Sequence, residues 1–213
     1  MFYRENGQFK ASYVEDLRIF KVTQDRVAVL ALVAIAVLLV PMLASDYLLR
    51  AVLIPFLILS LAAIGLNILV GYCGQISLGT GAFMAVGAYA AWNIGVRIPE
   101  VPLLVQILLG GLCATAVGVV FGIPSLRLRG LYLAVSTLAA QFFLDWAFLR
   151  IPALTNHSAS GSVSVGTLSF FGLPLESAWQ KYLFCLGFVV VFAVIAKNLV
   201  RTTTGRQWMA IRD

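Results

Sequence analysis

The apolar stretches of this sequence hold very few side chains that could do acid–base or charge-pairing chemistry. Asp145 lies well inside an apolar run, with Gln141 one helical turn before it and Thr137 one turn before that. This spacing predicts a polar stripe along one helix face. A carboxylate at the centre of a membrane costs about 2.5–3.5 kcal/mol, so it should face protein or water. The stripe is therefore either part of a polar pathway or, with Trp146 and Arg150 beside it, an anchor near the outer interface.

Metal, redox and nucleophile chemistry find little support. His157 is the single histidine of the chain and lies in a polar run, so we expect an exposed loop residue and no metal site. The cysteines at 73, 113 and 185 are far apart and in or beside apolar runs, which favours a packing role. No paired acid and base and no nucleophile set is apparent, so we expect no catalytic residue and no enzyme activity.

The glycines do not form a nucleotide-binding motif. The "GTG" from Gly79 to Gly81 lacks the third glycine of a dinucleotide fingerprint, and no strand precedes it. No Gly-Lys-Ser/Thr phosphate loop occurs either. The sequence therefore predicts no ATP site and no cofactor in this chain.

The stretch "GYCGQISLGTGAFMAVGAYAAW", residues 71–92, places polar and flexible residues between two apolar segments. We expect Gly71 to Gly81 to form a polar break or re-entrant segment, followed by a helix, because transporters often build sites at such breaks. The alternative is that its polar groups simply hydrogen-bond one helix to another. The candidate pathway residues are Asn67, Gln75, Ser77 and Thr80, with Thr137 and Gln141 facing them and Asp145 further along.

The composition of the chain indicates that membrane-spanning helices position these residues. The chain of 213 residues is 61% hydrophobic and 11% charged, with a mean hydropathy of +0.96. Because about 20 apolar residues cross a bilayer as a helix, the sequence predicts an all-α, polytopic membrane bundle of about six transmembrane helices. The expected spans are 27–44, 48–70 with a kink at Pro55, 76–96, 103–123, 131–149 and 182–200.

The distribution of charge predicts a cytoplasmic N-terminus. With that orientation most of the 15 basic residues lie inside, and Arg50, Arg97, Arg150 and Lys181 lie outside, as the positive-inside rule requires. The basic pI of about 9.5 is thereby explained without a nucleic-acid partner. Residues 1–26 then form a cytoplasmic segment, in which Ser12 to Lys21 is either a short amphipathic helix on the lipid surface or a partly disordered tail.

Small residues recur at four-residue spacing in two of the expected spans. Because lipid gives helices no hydrophobic reason to associate, small faces that allow close approach favour packing. The expected packing residues are Gly79, Gly87 and Ala91 in the third span and Gly110, Ala114, Gly118 and Gly122 in the fourth.

Four ordered motifs resemble a known family. "NILVGYCGQISLGTGAFMAVGAYAA" is similar to the early signature of the LivM-type permease subunit of bacterial branched-chain amino acid ABC importers. "LRLRGLYLAVSTLAAQF", the loop leading to "FFGLPL", and "TGRQWMAIRD" follow in the expected order. The resemblance covers most of the chain beyond about residue 50. Family members usually have histidine where this sequence has Thr80, and the chain stops where the family continues, so an N-terminal fragment is expected.

The resemblance implies an incomplete permease domain at 27–200 and the start of a cytoplasmic coupling region at 201–213. Arg206, Arg212 and Asp213 would begin the contact with the ATPase. The implied partners are a second, LivH-like permease subunit, two cytoplasmic ATPase subunits that use the ATP, a periplasmic substrate-binding protein and the lipid of the bacterial inner membrane. Branched-chain amino acids or related small polar solutes would be carried.

A stand-alone channel or secondary carrier for a small solute is the alternative function. An ion-coupled carrier would be expected to hold more ionisable groups within the membrane than one late aspartate.

Overall fold

The computed structural model of the protein describes residues 23–125, 128, 130–155, 163–166, 169–170 and 173–212. The expected amphipathic helix at Ser12 to Lys21, His157 and Asp213 lie outside the described residues. Seven helices account for most of the described chain. They are α1 (Thr23–Ala34, Ile35–Leu39 and Val40–Leu43), α2 (Asp46–Leu48, Leu49–Leu53, Ile54–Leu66 and Asn67–Tyr72), α3 (Thr80–Arg97), α4 (Leu103–Ser125), α5 (Leu131–Arg150), α6 (Ala178–Arg201) and α7 (Thr203–Arg212). Two short strands, β1 (Ser169–Phe170) and β2 (Leu173–Pro174), pair antiparallel between α5 and α6.

Five of these helices are long and apolar enough to cross a membrane: α1, α2, α4, α5 and α6. The expected polytopic helical membrane architecture is therefore confirmed. Six spans were expected, and the third, at 76–96, is not among these five helices. Its helix, α3, begins four residues later than 76, and glycines, Asn93 and Arg97 lower its apolar content. A helix at this place is found, but it does not reach the composition of the other five.

The outer surface of the bundle is apolar, as a lipid-facing surface must be. None of the residues in the most apolar part of α1 is buried, whereas 28% of those in the most apolar part of α5 are buried. Helix α5 is thus the most enclosed of the five candidate spans, and α1 lies at the periphery.

Prolines explain two irregular turns in α1 and α2. Each has a π-helical segment, Ile35–Leu39 and Leu49–Leu53, that ends two residues before a proline. In α1 the Val40 N–H donates to the carbonyl of Ile35, and Pro41 has no N–H to offer. The carbonyl of Ala36 therefore lacks a helical donor, and the Tyr182 hydroxyl of α6 donates to it at 3.1 Å. The expected irregularity at Pro55 takes this same form in α2.

Two clusters of buried apolar side chains hold the helices together. One joins α2 to α6 through Leu49, Leu57, Ala178, Tyr182 and Leu186. The other joins α3 to α5 through Ala82, Val86, Leu144 and Phe148. The polar break and the cavity described below are bounded by α2 from the first cluster and α3 and α5 from the second.

The carboxyl end of α3 is tied to the segment that follows α5. The Asn93 amide donates to the carbonyl of Leu154 at 2.7 Å, and the Arg97 guanidinium donates to the carbonyl of Ala153 at 2.8 Å. One turn earlier, the rings of Tyr89 and Phe148 stack with centroids 4.5 Å apart. These contacts fix α3 against α5 at the end opposite the break.

Candidate functional site

A non-helical break at residues 73–79 separates α2 from α3, inside the region where the sequence predicted one. Gly74 has a φ of +67°, a conformation that residues with a side chain rarely adopt. A Cβ at Gly74 would also lie 2.6 Å from Cγ of Arg212. Backbone conformation and close approach therefore both require glycine at this position.

Thr137 of α5 holds the end of the break that leads into α3. Its hydroxyl oxygen accepts a hydrogen bond from the Leu78 N–H at 2.9 Å, and the hydroxyl itself donates to the carbonyl of Ala134 at 2.9 Å. A Cβ at Gly79 would lie 2.5 Å from the Thr137 carbonyl oxygen, so the break also packs closely on α5. Backbone that leaves a helix loses its helical hydrogen bonds, so its N–H and carbonyl groups need such partners.

Arg212 of α7 holds the other end of the break. Its guanidinium Nη1 donates to the carbonyl of Gly71 at 3.2 Å, at the last turn of α2. The N–H groups of Cys73 and Gln75 donate to the carbonyls of Ile68 and Leu69 at 3.2 and 3.1 Å. The carbonyl groups in the last turns of α2 therefore accept hydrogen bonds partly from the break itself and partly from α7.

A cavity of about 970 Å³ lies between α2, α3, α4 and α5, beside the break. Much of its wall is small or apolar, including Gly65, Ala88, Gly111 and Ala114. No charged side chain is found among the described residues that line it. Its polar lining residues are Gln75, Ser77, Thr80, Ser125, Ser136 and Thr137.

The polar groups gather at one end of this cavity. Thr80 is the first residue of α3, Ser125 is the last of the antiparallel α4, and Thr137 is bonded to the break. The opposite end, around Ile107 and Ala91, is apolar. The cavity can therefore offer hydroxyl and amide groups to one end of a solute and an apolar wall to the rest.

Four of the predicted pathway residues line the cavity together: Gln75, Ser77, Thr80 and Thr137. Asn67, Gln141 and Asp145 do not line it. Asn67 is exposed on α2, and its Oδ1 lies 2.6 Å from the position that a Cβ on Gly71 would take. Gln141 is half-buried, with its Oε1 3.9 Å from the Cβ position at Gly81.

The separation of Asp145 from the cavity has a geometric reason. Each step of four residues turns the side chain about 40° around an α-helix, so two steps from Thr137 carry Asp145 roughly 80° away. Asp145 is exposed on the outside of α5, next to the exposed Trp146. Asp145 therefore does not belong to the cavity wall, and its role as an anchor stays a prediction.

The predicted small-residue face divides into two parts. A Cβ at Gly110 of α4 would lie 2.6 Å from the Gly87 carbonyl oxygen and 2.9 Å from Cβ of Ala91, both on α3. Ala114 lies in the same contact, with its Cβ 3.5 Å from the Cβ position at Gly87. In contrast, a Cβ at Gly118 or Gly122 would meet nothing within 4 Å, and both glycines border the cavity.

Two polar cavity residues, Ser125 and Ser136, were not predicted. Ser125 is 7% exposed and donates to the carbonyl of Gly122 at 2.8 Å. A signal for Ser136 existed, because Leu133, Ser136, Thr137 and Ala140 share one face at i, i+3, i+4 and i+7 and all four line the cavity.

The residues expected to begin the coupling region lie on α7. Arg206 is exposed on its first turns, and Arg212 reaches the break as described. Among the residues that the structure describes, no three His, Cys, Asp or Glu side chains are grouped so as to hold a metal ion.

Comparison with known proteins shows the family of this chain. Residues 48–213 match the family model described as "Branched-chain amino acid transport system / permease component". The proteins named "High-affinity branched-chain amino acid transport system permease protein LivM" from Escherichia coli (strain K12) and Salmonella typhimurium are each 30% identical over 173 residues. Each match covers 70% of this chain and 40% of the relative, so the chain spans well under half the length of these relatives. No solved structure matches. A match over residues 48–213, together with these relatives, shows that the chain belongs to the permease component family of branched-chain amino acid transport systems.

Proposed function

We propose that this multi-pass membrane protein is a transmembrane permease subunit of an ATP-binding-cassette importer. The cavity between α2, α3, α4 and α5 is its part of the translocation pathway. The observation that carries the proposal is the division of that cavity into a polar end at the break and an apolar end near Ile107. Its volume of about 970 Å³ is at the upper end of the roughly 300–1,000 Å³ typical of small-molecule sites.

The chemistry of the wall supports a small solute that has a polar and an apolar part. Hydroxyl and amide groups at the break can exchange hydrogen bonds with an amino acid backbone, and the small apolar residues leave room for an aliphatic side chain. Branched-chain amino acids, or related small polar solutes, fit this description. The names of the relatives agree with it.

Partner subunits complete the proposed importer. A second, LivH-like permease closes the pathway, two cytoplasmic ATPase subunits hydrolyse the ATP, and a periplasmic binding protein delivers the solute. The chain lies in the bacterial inner membrane with a cytoplasmic N-terminus, has no enzyme activity and binds no cofactor of its own. Residues 27–200 belong to the permease domain, and 201–213 begin the coupling region.

Uptake of radiolabelled leucine tests the proposal in cells that lack their own importer and express the full-length protein with its partners. The double variant Gln75→Ala/Ser77→Ala removes two polar groups from the cavity wall, so we expect uptake to fall about tenfold, the effect of roughly 1.4 kcal/mol. The matched control is Cys113→Ala, which alters an exposed residue outside the cavity.

Two results would count against the proposal. Normal uptake by the double variant, with normal assembly of the complex, would exclude the break from the pathway. Leucine flux into liposomes that hold this protein without any ATPase would favour the stand-alone carrier instead.

A further inference from the structure

The last turn of α7 lies against the polar break on both sides of Cys73. Before it, the Arg212 guanidinium donates to the Gly71 carbonyl at 3.2 Å. After it, the methylene stem of Arg212 leaves no room for a side chain, since a Cβ at Gly74 would lie 2.6 Å from Cγ and 3.3 Å from Cβ of Arg212. One arginine side chain thus contacts both the last turn of α2, at Gly71, and the start of the break, at Gly74.

The contact has a clear electrostatic reason. The carbonyls of the last helical turn carry a partial negative charge, and a cation near them stabilises the helix. Arginine side chains near a helix C-terminus often donate to these carbonyls. In α2 the chain leaves the helix at Cys73, and Arg212 donates to the Gly71 carbonyl just before that point. Arg212 is therefore a C-terminal cap that a different helix supplies.

The break is held at two points that belong to different parts of the bundle. Thr137 holds Leu78 and belongs to α5, the most enclosed span. Arg212 holds Gly71 and belongs to α7, a short helix beyond the end of α6. Gln75 and Ser77, which line the cavity, lie between these two points.

The direction of α7 is itself constrained by a glycine. Gly205 is buried where α6 meets α7, and a Cβ there would collide with the backbone of Val200. The two helices can turn this sharply because residue 205 has no side chain. The turn brings the far end of α7, with Arg212, to the break.

We propose that Arg212 is a positioning residue that caps α2 from α7, and that a shift of α7 is transmitted through this contact to the polar end of the cavity. The link to transport rests on the proposed function. The capping contact itself does not.

Reactivity of the Cys73 thiol tests the capping contact directly, because Cys73 lies between the two residues that Arg212 touches. The full-length protein, with its partners in native membranes and all its other cysteines replaced by alanine, is labelled with a membrane-impermeant maleimide on inside-out vesicles. We expect Arg212→Ala to raise the labelling rate about threefold to fivefold, the factor that corresponds to losing a capping charge at a helix C-terminus. Arg212→Lys, which keeps the charge and most of the stem, should stay within about twofold of the unsubstituted arginine.

Arg206→Ala is the matched control, since it removes an exposed arginine from the same helix. Equal labelling rates for Arg212→Ala and Arg206→Ala would overturn the proposal. If Arg212→Ala does not reach the membrane, Arg212→Met decides, because it keeps an apolar stem but has neither the charge nor the donor and should also raise labelling. Labelling of this variant at the rate of the unsubstituted protein would overturn the proposal as well.

Uptake of leucine and ATP hydrolysis by the complete importer test the link to the cavity. We expect Arg212→Ala to lower uptake about as many fold as it raises labelling, while ATP hydrolysis continues. Raised labelling with unchanged uptake would overturn the link. If the unsubstituted importer carries no leucine, the proposed function fails, and the labelling result still decides the capping contact.

Discussion

The two halves of the small-residue face on α4 have the same spacing but different contacts with α3. Gly110 and Ala114 touch α3 so closely that a Cβ at Gly110 would lie 2.6 Å from a backbone oxygen. Gly118 and Gly122, at the next two positions of the same face, meet nothing within 4 Å and border the cavity. We call these pairs the contact half and the open half. Small residues at four-residue spacing therefore create close contact in one half and empty volume in the other.

The residues of α3 opposite each half decide the outcome. The contact half meets Gly87 and Ala91, which are themselves small. Beside the open half, the Phe83 ring of α3 meets the Phe121 ring of α4 edge to face, with centroids 6.4 Å apart. Both rings also border the cavity next to Gly118. A small-residue face predicts close packing only where the facing residues of the opposite helix are small too.

The largest expected effect is from Gly110→Leu in the contact half. The added side chain would meet the Gly87 backbone, which cannot move aside, so the protein should lose about 1–3 kcal/mol of stability. The measurement is the thermal unfolding temperature of the detergent-solubilised protein. Gly118→Leu is the control, and an equal loss in both variants would remove the distinction between the halves.

Gly118→Leu should act on transport and leave stability unchanged. Its side chain enters the cavity, and a steric cost of about 1.4 kcal/mol would lower leucine uptake about tenfold. Uptake by the complete importer, at matched expression, provides the measurement. Normal uptake would show that the open half does not border the route of the solute.

Thr137→Val tests the hydrogen bond between α5 and the break, beside the close approach of Gly79 to α5. The variant keeps the shape of the side chain but removes the acceptor of the Leu78 N–H, so it should cost about 0.5–1.5 kcal/mol, the net contribution of one hydrogen bond. Thr137→Ser keeps the hydroxyl and serves as the control in thermal unfolding. If the valine and serine variants unfold at the same temperature, the hydrogen bond to the break adds nothing to the packing.

The smallest effect is expected from Asp145→Asn. Asp145 is exposed on the outside of α5 and does not line the cavity, so uptake should stay within about twofold of normal, as for surface substitutions worth under 0.5 kcal/mol. The same leucine assay checks this. A tenfold loss would mean that the pathway extends from the open half to the outer part of α5.

Hydropathy and glycine content predicted most of the architecture. Five of the expected spans coincide with long apolar helices, and the break lies where glycines and polar residues cluster, because both signals are local in sequence. The cavity residues were predicted in part: Gln75, Ser77, Thr80 and Thr137 line it, and Asn67, Gln141 and Asp145 do not. Polarity at membrane depth indicates that a residue needs a partner, but it does not say on which side of the helix that partner lies.

The contacts that the sequence could not predict are long-range. Arg212 and Gly71 are 141 residues apart, and no periodicity within either helix brings them together. The difference between Gly110 and Gly118 depends in the same way on α3, not on α4 itself. The membership of the family, by contrast, followed from ordered motifs and was confirmed.

The hydrogen bond from Tyr182 to Ala36 has a consequence for how the protein is made. Its two partners are 146 residues apart, so the first helix leaves the ribosome long before the sixth has been synthesised. Until then Tyr182 is absent, so the π-helical turn that leaves the carbonyl of Ala36 without a helical donor would be costly in hydrocarbon. The first helix is therefore expected to take its final place late in biogenesis, after the sixth has entered the membrane.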